Sequence, residues 1–527
     1  MKNIFIKATG ITVLFLGSLT SCHDDLDLTP TNATTSTIVY GTPEGYKQVL
    51  AKVYGGYAST GSGGAGSSDL AGIDAGTSDF LRLFWNSQEL TTDEAHVVWN
   101  DPGLPDFHNL SWTSSNVMIT GLYNRIFFQI TMANEFIRES TDAKLSERGI
   151  SGADADNIRK YRAEARFIRA YQYWVAMDLF GNTPFITEND PIGKYFPPQK
   201  SRAELFKYVE SELLAIESSL VAPKQNEYGR ADQAAAWALL ARVYLNAGVY
   251  TGTPRYTEAI TYASKVIGSG YALKSNYRQL FLADNNLNNP ETILSINYDG
   301  VRTQNWGGTT YLINASINGD MNPAAFGVPN GGWGGVRATK NLPALFADNS
   351  GNTDKRAMFF GNKYEMDDPT SFAEGPKVTK FRNVTSTGAT APSANGTWTS
   401  TDFPLFRLGE MYLVYAEAVL RGGTGGSTAT ALGYINALRT RAYGNTSGNV
   451  TSISTDFILD ERGRELYWEG FRRTDLIRYG RFTSASYLWP WKGGVKAGRG
   501  VSDTYNLFPI PATDIIANRN LTQNPGY

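Results

Sequence analysis

Ala234-Ala235-Ala236-Trp237-Ala238-Leu239-Leu240-Ala241-Arg242-Val243-Tyr244-Leu245-Asn246-Ala247-Gly248, followed after a short break by Tyr256-Thr257-Glu258-Ala259-Ile260-Thr261-Tyr262-Ala263-Ser264-Lys265-Val266-Ile267, decides the fold class. Ala236, Leu239, Leu240, Val243 and Ala247 recur at helical spacing, as do Tyr256, Ala259, Ile260, Ala263, Val266 and Ile267, so each segment predicts a helix with one apolar face. The short break makes them an antiparallel hairpin. Small residues at the packing positions bring the two helices close, and such a hairpin must stack on neighbours to bury its other face.

The same spacing recurs on both sides. Upstream, Thr42 is an N-cap with Pro43 at the first helical position, ahead of the stripe Tyr46, Val49, Leu50, Val53 and Tyr57. Tyr161, Ala165, Ile168, Tyr171, Val175 and Leu179 form another face, which stops at Gly181 before Pro184. Ser201-Arg202-Ala203-Glu204 is a capping box opening the stripe Phe206, Val209, Leu213, Ile216 and Leu220. Downstream, Leu408 to Val419, Ala431 to Ala442 and Asp456 to Tyr479 supply further helices. The Tyr244-Leu245-Asn246-Ala247-Gly248 turn resembles that of a tetratricopeptide repeat. The expected fold is mainly α, with tetratricopeptide-like helical hairpins forming a scaffold.

Two stretches, about 58–116 and 284–403, are rich in Gly, Asn, Thr and Trp and lack helical periodicity. They predict a large irregular, loop-rich lobe, and loops this long in a compact protein usually carry function. At about 150 residues per domain the 527 residues predict several domains. No linker divides the chain, so 41–527 reads as a single unit. Ahead of it, Lys2 and Lys7 precede the run Ile11 to Leu19, too short for a bilayer but right for a signal peptide. Leu19-Thr20-Ser21-Cys22 looks like a bacterial lipobox. Residues 1–21 are the expected signal peptide, Cys22 the lipidation site and 22–40 a lipidated linker. The acidic His23-Asp24-Asp25-Leu26-Asp27 suits a lipoprotein anchored in the cell outer membrane and facing the exterior.

Lys plus Arg number 48 against 50 Asp plus Glu, a formal charge of -2 that offers no basic excess for a nucleic acid. With Cys22 in the anchor no thiol remains. His23, His96 and His108 are the only histidines, without a Gly-x-Ser-x-Gly or any His/Cys pairing at metal-ligand spacing, which excludes hydrolytic triads and zinc sites. Gly61-Ser62-Gly63-Gly64-Ala65-Gly66 has dinucleotide-fingerprint spacing but follows a helix instead of a strand, and reads as a flexible loop. Glycosidase chemistry stays open, because any two of the 50 acids can meet in space.

Among the loop tryptophans, Asn305-Trp306-Gly307-Gly308 and Gly331-Gly332-Trp333-Gly334-Gly335 set an indole between glycines, which lets the backbone crowd close and leaves the ring accessible. Trp85, Trp112, Trp398, Trp489 and Trp491 stand among bulky residues and are expected to pack. Accessible indoles suit a neutral pyranose, whose faces are apolar and whose edges carry hydroxyls. Asp74 as acceptor and Arg82 as forked donor complete such a site chemically; otherwise they form an ordinary surface ion pair.

The chain resembles the SusD/RagB family. The residues are Glu89-Leu90-Thr91-Thr92-Asp93-Glu94, Glu164-Ala165-Arg166-Phe167-Ile168-Arg169-Ala170, Asp178-Leu179-Phe180-Gly181-Asn182-Thr183-Pro184-Phe185, Gly229-Arg230-Ala231, Pro404-Leu405-Phe406-Arg407-Leu408, Glu461-Arg462-Gly463-Arg464-Glu465-Leu466, Phe508-Pro509-Ile510-Pro511 and Gln523-Asn524-Pro525-Gly526-Tyr527. Most read as scaffold: Thr91 to Glu94 as a capping box, Arg166, Arg169 and Glu465 as internal ion pairs. The resemblance implies a lipoprotein, not an enzyme, that caps a TonB-dependent transporter with its tetratricopeptide-like helices and delivers glycan to it.

Within the family the chain is most similar to the starch-binding member, which implies an α-glucan ligand, an aromatic arc of Trp99, Trp306 and Trp333, and a hydroxyl-binding pair of Asp74 and Arg82. Trp306 stands where that member has a tyrosine. The stretch after Trp99 is one residue shorter, which leaves Asn100 or Asp101 as its polar contact. No cofactor is required. The member's structural calcium finds only part of its ligand pattern, in Asp402 and the Asn285-Asn286 loop. The expectation is non-catalytic capture of helical α-1,4-glucan, such as starch or maltooligosaccharide. The alternatives are another neutral polysaccharide such as a β-glucan, then a glycoside hydrolase, then a protein-only scaffold.

Overall fold

The structure, a computed structural model, describes residues 36–527; the expected signal peptide, Cys22 and most of the 22–40 linker lie outside the described residues. Thr42 caps helix α1 (Pro43–Gly55): its hydroxyl accepts the Gly45 N–H, and Tyr46, Leu50 and Val53 turn inward. The folded part starts earlier than residue 41. Ser36–Val39 is a short helix, and Tyr40 is buried with its ring 5.0 Å from that of Tyr46. An aromatic side chain thus draws the end of the expected linker into the core.

Helix α2 (Phe80–Glu89) corrects the first loop stretch. Every residue in it is buried, including the polar Arg82, Asn86, Ser87, Gln88 and Glu89. Thr91 to Glu94 is the turn that ends α2 and not a capping box: Thr91 Oγ1 donates back to the Ser87 carbonyl, and Asp93 pairs with Arg472 at 2.7 Å. Helix α3 (Val117–Glu139), absent from the segments read above as helical although Ile119, Leu122, Ile126, Ile130, Ala133 and Ile137 recur along it at helical spacing, packs between α1, α2 and the long α4 (Gly152–Phe180).

Helix α4 ends at Gly181, whose φ of 72° suits a residue without a side chain. From it Arg166 and Arg169 each reach Glu212 on α5 (Arg202–Ile216) at 2.8 Å, the internal pairs expected. Ser201 and Glu204 form the full capping box of α5. Helices α6 (Gln233–Leu245) and α7 (Tyr256–Ile267) are the hairpin first quoted. The short α8 (Gly308–Asn314) lies inside the second loop stretch; beyond it come α9 (Leu408–Leu420), α10 (Thr428–Tyr443) and α11 (Thr455–Leu466). Packing runs from α6 to α7, from α7 to α9, and from α9 to α10 and α11, so the hairpins stack.

Strand occurs only as two-stranded antiparallel ladders among the described residues, including Ala95–Val97 with Val336–Ala338 and Thr292–Ile296 with Phe403–Arg407. Both stretches expected as loops therefore hold short regular elements, largely buried and too brief to show a period. One buried cluster runs from Tyr46 through Trp174 and Leu240 to Ile313, Val336 and Phe403, so the loop-rich part shares its core with the helices. Among the described residues no helix is long and apolar enough to cross a membrane.

Candidate functional site

The ladder Ala95–Val97 with Val336–Ala338 is prolonged by the Val98 N–H, which donates to the Gly335 carbonyl at 2.8 Å and sets Trp99 beside Trp333. The Trp333 N–H donates to the Asn314 carbonyl at 2.7 Å, at the end of α8, and Trp306 lies just ahead of that helix. One ladder and one short helix thus gather three segments distant in sequence. The Trp99 and Trp333 rings are 6.4 Å apart and inclined by 43°; Trp306 and Trp333 are 6.0 Å apart and inclined by 48°. Neighbouring rings are inclined to each other, so the apolar surface they form is not flat. Trp306 is 37% exposed, and Trp99 and Trp333 are half-buried. Trp398, buried as expected, supports Trp306 edge-on at 4.3 Å.

Beside the rings lies a cleft of about 450 Å³ lined by Asp74, Gly76, Arg82, Asp101, Trp306 and Trp333. Of the two polar candidates after Trp99, Asp101 lines the cleft and Asn100 does not. Asp74 is exposed, and its Oδ1 accepts the Gly76 N–H at 2.8 Å. Arg82 is mounted on the first turn of α2 and is only 8% exposed. Its Nη1 donates to the Gly76 carbonyl at 2.7 Å, and its guanidinium lies 4.5 Å from the Tyr311 ring centroid and 6.0 Å from that of Trp99. Burial pushes its pKa down, against the pull of Tyr311, Asp101, Asp79 and Asp74. A carbonyl and two rings hold Arg82, so it is not half of an ordinary surface ion pair. The result is a non-planar apolar face with a polar edge of donors and acceptors.

Sequence reasoning passed over Ala65 and Gly66, which line the same cleft from the glycine-rich turn, and Thr77. Nothing in their types marks them out. His96 and His108 are buried, stacked at 3.8 Å, and burial pushes His108 down to about 3; neither lines the cleft. A separate apolar cavity of about 230 Å³ between α1 and α4, lined by Tyr57, Phe167 and Tyr171, holds none of the candidate residues.

Two family descriptions match the chain, "Starch-binding associating with outer membrane" over residues 46–245 and "SusD family" over residues 352–527. The chain is also 38% identical to the starch-binding protein SusD of Bacteroides thetaiotaomicron, over the whole of both chains. It belongs to the SusD family. A SusD-like protein, P2, of Formosa agariphila is 25% identical over 80% of this chain and 83% of its own. Among solved structures, surface glycan-binding protein A from Bacteroides thetaiotaomicron in complex with laminarihexaose superposes with a TM-score of 0.69 at 21% identity, covering 91% of this chain and 99% of that one. A SusD superfamily protein from Parabacteroides distasonis gives 0.70 at 21%, covering 94% and 100%. These two likenesses show the mainly helical SusD fold. Both family descriptions leave out residues 246–351, where Trp306 and Trp333 lie.

Two of the residues named for a structural calcium, Asp402 and Asn285, make hydrogen bonds within the protein. Asp402 is buried, its carboxylate accepts the Tyr298 N–H and the Tyr228 hydroxyl, and burial pushes its pKa up to about 6. Asn285 donates to the Leu280 and Asp402 carbonyls and accepts the Asp402 N–H. Among the described residues no three or more His, Cys, Asp or Glu side chains gather as metal ligands would.

Proposed function

We propose that this SusD-family protein is a non-catalytic glycan-binding lipoprotein of the outer-membrane surface, anchored through Cys22. It captures starch or maltooligosaccharide on Trp99, Trp306 and Trp333 and delivers it to a TonB-dependent transporter. The supporting observation is that neighbouring indoles are not coplanar but inclined by 43° and 48°. An extended, flat glucan chain is best met by coplanar rings, whereas a coiled α-1,4-glucan presents its sugar faces around a curve. Asp74 and Asp101 offer acceptors and Arg82 donors to hydroxyls along the rim. The full-length relative is named a starch-binding protein, and one matching family description speaks of association with the outer membrane.

A second reading, a β-glucan, draws on the laminarihexaose bound by a structural neighbour and on Trp306, a broader stacking face than the tyrosine of the starch binder. Native electrophoresis through gels containing amylopectin, pullulan, laminarin or no polysaccharide separates the two. Retardation by amylopectin and pullulan alone is the expected result. Retardation by laminarin alone favours the second reading, and migration unchanged in every gel contradicts a glycan role.

A further inference from the structure

Asp79 does not line the cleft, yet the parts of the platform converge on it. Its side chain is fully buried. Oδ1 accepts the Arg82 N–H at 2.8 Å, which caps α2, and also the N–H of Gly308, the first residue of α8, at 2.8 Å. Oδ2 accepts from Nδ2 of Asn305 at 2.5 Å. That amide also donates to the Ala58 carbonyl at 3.0 Å, and its oxygen accepts the Gly307 N–H at 2.8 Å. Trp306 therefore stands between two residues of a turn that is tied at several points to one carboxylate. The glycines after it make room: a Cβ on Gly307 would stand 2.1 Å from Cβ of Asp79, and Gly308, at φ +57°, would put one 2.4 Å from the Tyr298 ring.

We infer that Asp79 is a positioning residue of the glycan site. Its carboxylate joins the helix that carries Arg82 to the turn that carries Trp306, and so fixes the stacking ring relative to the polar edge before ligand arrives. A ring held in place loses no freedom on binding, which is how a tether far from the ligand raises affinity. The inference rests on the proposed glucan function.

The test is calorimetric titration of maltoheptaose into the mature chain and its variants, with thermal unfolding of each alongside. In Asp79→Asn the side chain keeps an acceptor for the Arg82 and Gly308 amides but turns a donor towards Asn305, which releases the turn and lowers affinity about tenfold. Asn305→Ala leaves the α2 cap whole and gives a similar loss. In a Trp306→Ala background neither substitution costs anything more, because both act through that ring; a helix cap of purely structural importance would cost as much on either background. Equal losses on both backgrounds, or wild-type affinity in both single variants, overturn the inference. Should Asp79→Asn not fold, Asn305→Ala carries the same comparison. If the unaltered chain binds no glucan, the functional reading falls. The tether is then decided by a crystal structure of Asn305→Ala: Trp306 displaced from its 6.0 Å approach to Trp333 upholds it, and an unmoved ring overturns it.

Discussion

Gly335 decides where Trp99 can lie. A Cβ there would stand 2.2 Å from the indole, so the ring rests directly on the backbone that leads from Trp333 into the strand Val336–Ala338. Gly335→Ala is expected to push Trp99 aside and lower affinity for maltoheptaose about tenfold, at the modest stability cost of about 1–3 kcal/mol typical of overpacking. Titration and thermal unfolding of the variant check the two parts separately. The glycines around Trp306 and Trp333 made these indoles conspicuous in the sequence, but they serve the backbone: Gly332 crowds the Ile317 carbonyl, and Gly307 crowds Asp79. Composition points to the accessible rings without disclosing what the glycines meet. Arg82 was legible as a donor. Its mounting on a helix and its seat over Tyr311 were not, because residues far apart in the chain create them.

At the scale of elements, a solvated face did not decide what was legible: α6 was read from its apolar spacing although nearly every residue in it is buried, and α3 was passed over although its apolar stripe is regular. α5 announces itself with a capping box, whereas α2 sits in a glycine-rich stretch that reads as loop. The buried end of α2 also carries a titration consequence. Glu89 accepts the Gly470 and Phe471 N–H groups and Glu94 that of Trp468; burial pushes Glu89 up to about 7 and Glu94 up as well, with each carboxyl raising or relieving the other. A carboxyl with a raised folded pKa stabilises the fold fully below its unfolded value, and this stabilisation is lost as pH rises through the folded value. Glu461 and Glu465, held down at about 2 by their arginines, contribute the opposite dependence, lost as pH falls through about 2. Thermal stability is therefore expected to peak near the unfolded carboxyl value, at about pH 4 to 5, and to decline from there through about pH 7, with that decline reduced in Glu94→Gln. A profile still rising at pH 8, or an unchanged one in the variant, contradicts this assignment.

For the molecule as a whole, stacked hairpins and a loop-rich part share one core, and the platform forms where a ladder and a short helix from that part meet α2. The scaffold was legible because its pattern is local and repeated. The meeting of segments around residues 74–101, 306 and 333 rests on long-range contacts that no window of sequence contains; residue chemistry singled out Asp74, Arg82, Trp306 and Trp333, and the family resemblance added Trp99 with Asn100 or Asp101. Family membership does not assign the ligand by itself, since neither matching description reaches Trp306 or Trp333. The central ring, Trp333, touches both of the others. Calorimetric titration of maltoheptaose into the mature chain and into Trp333→Ala is therefore the most direct test. The platform predicts a loss of about 2 kcal/mol or more, roughly thirtyfold in affinity; an affinity equal to that of the unaltered chain would contradict it.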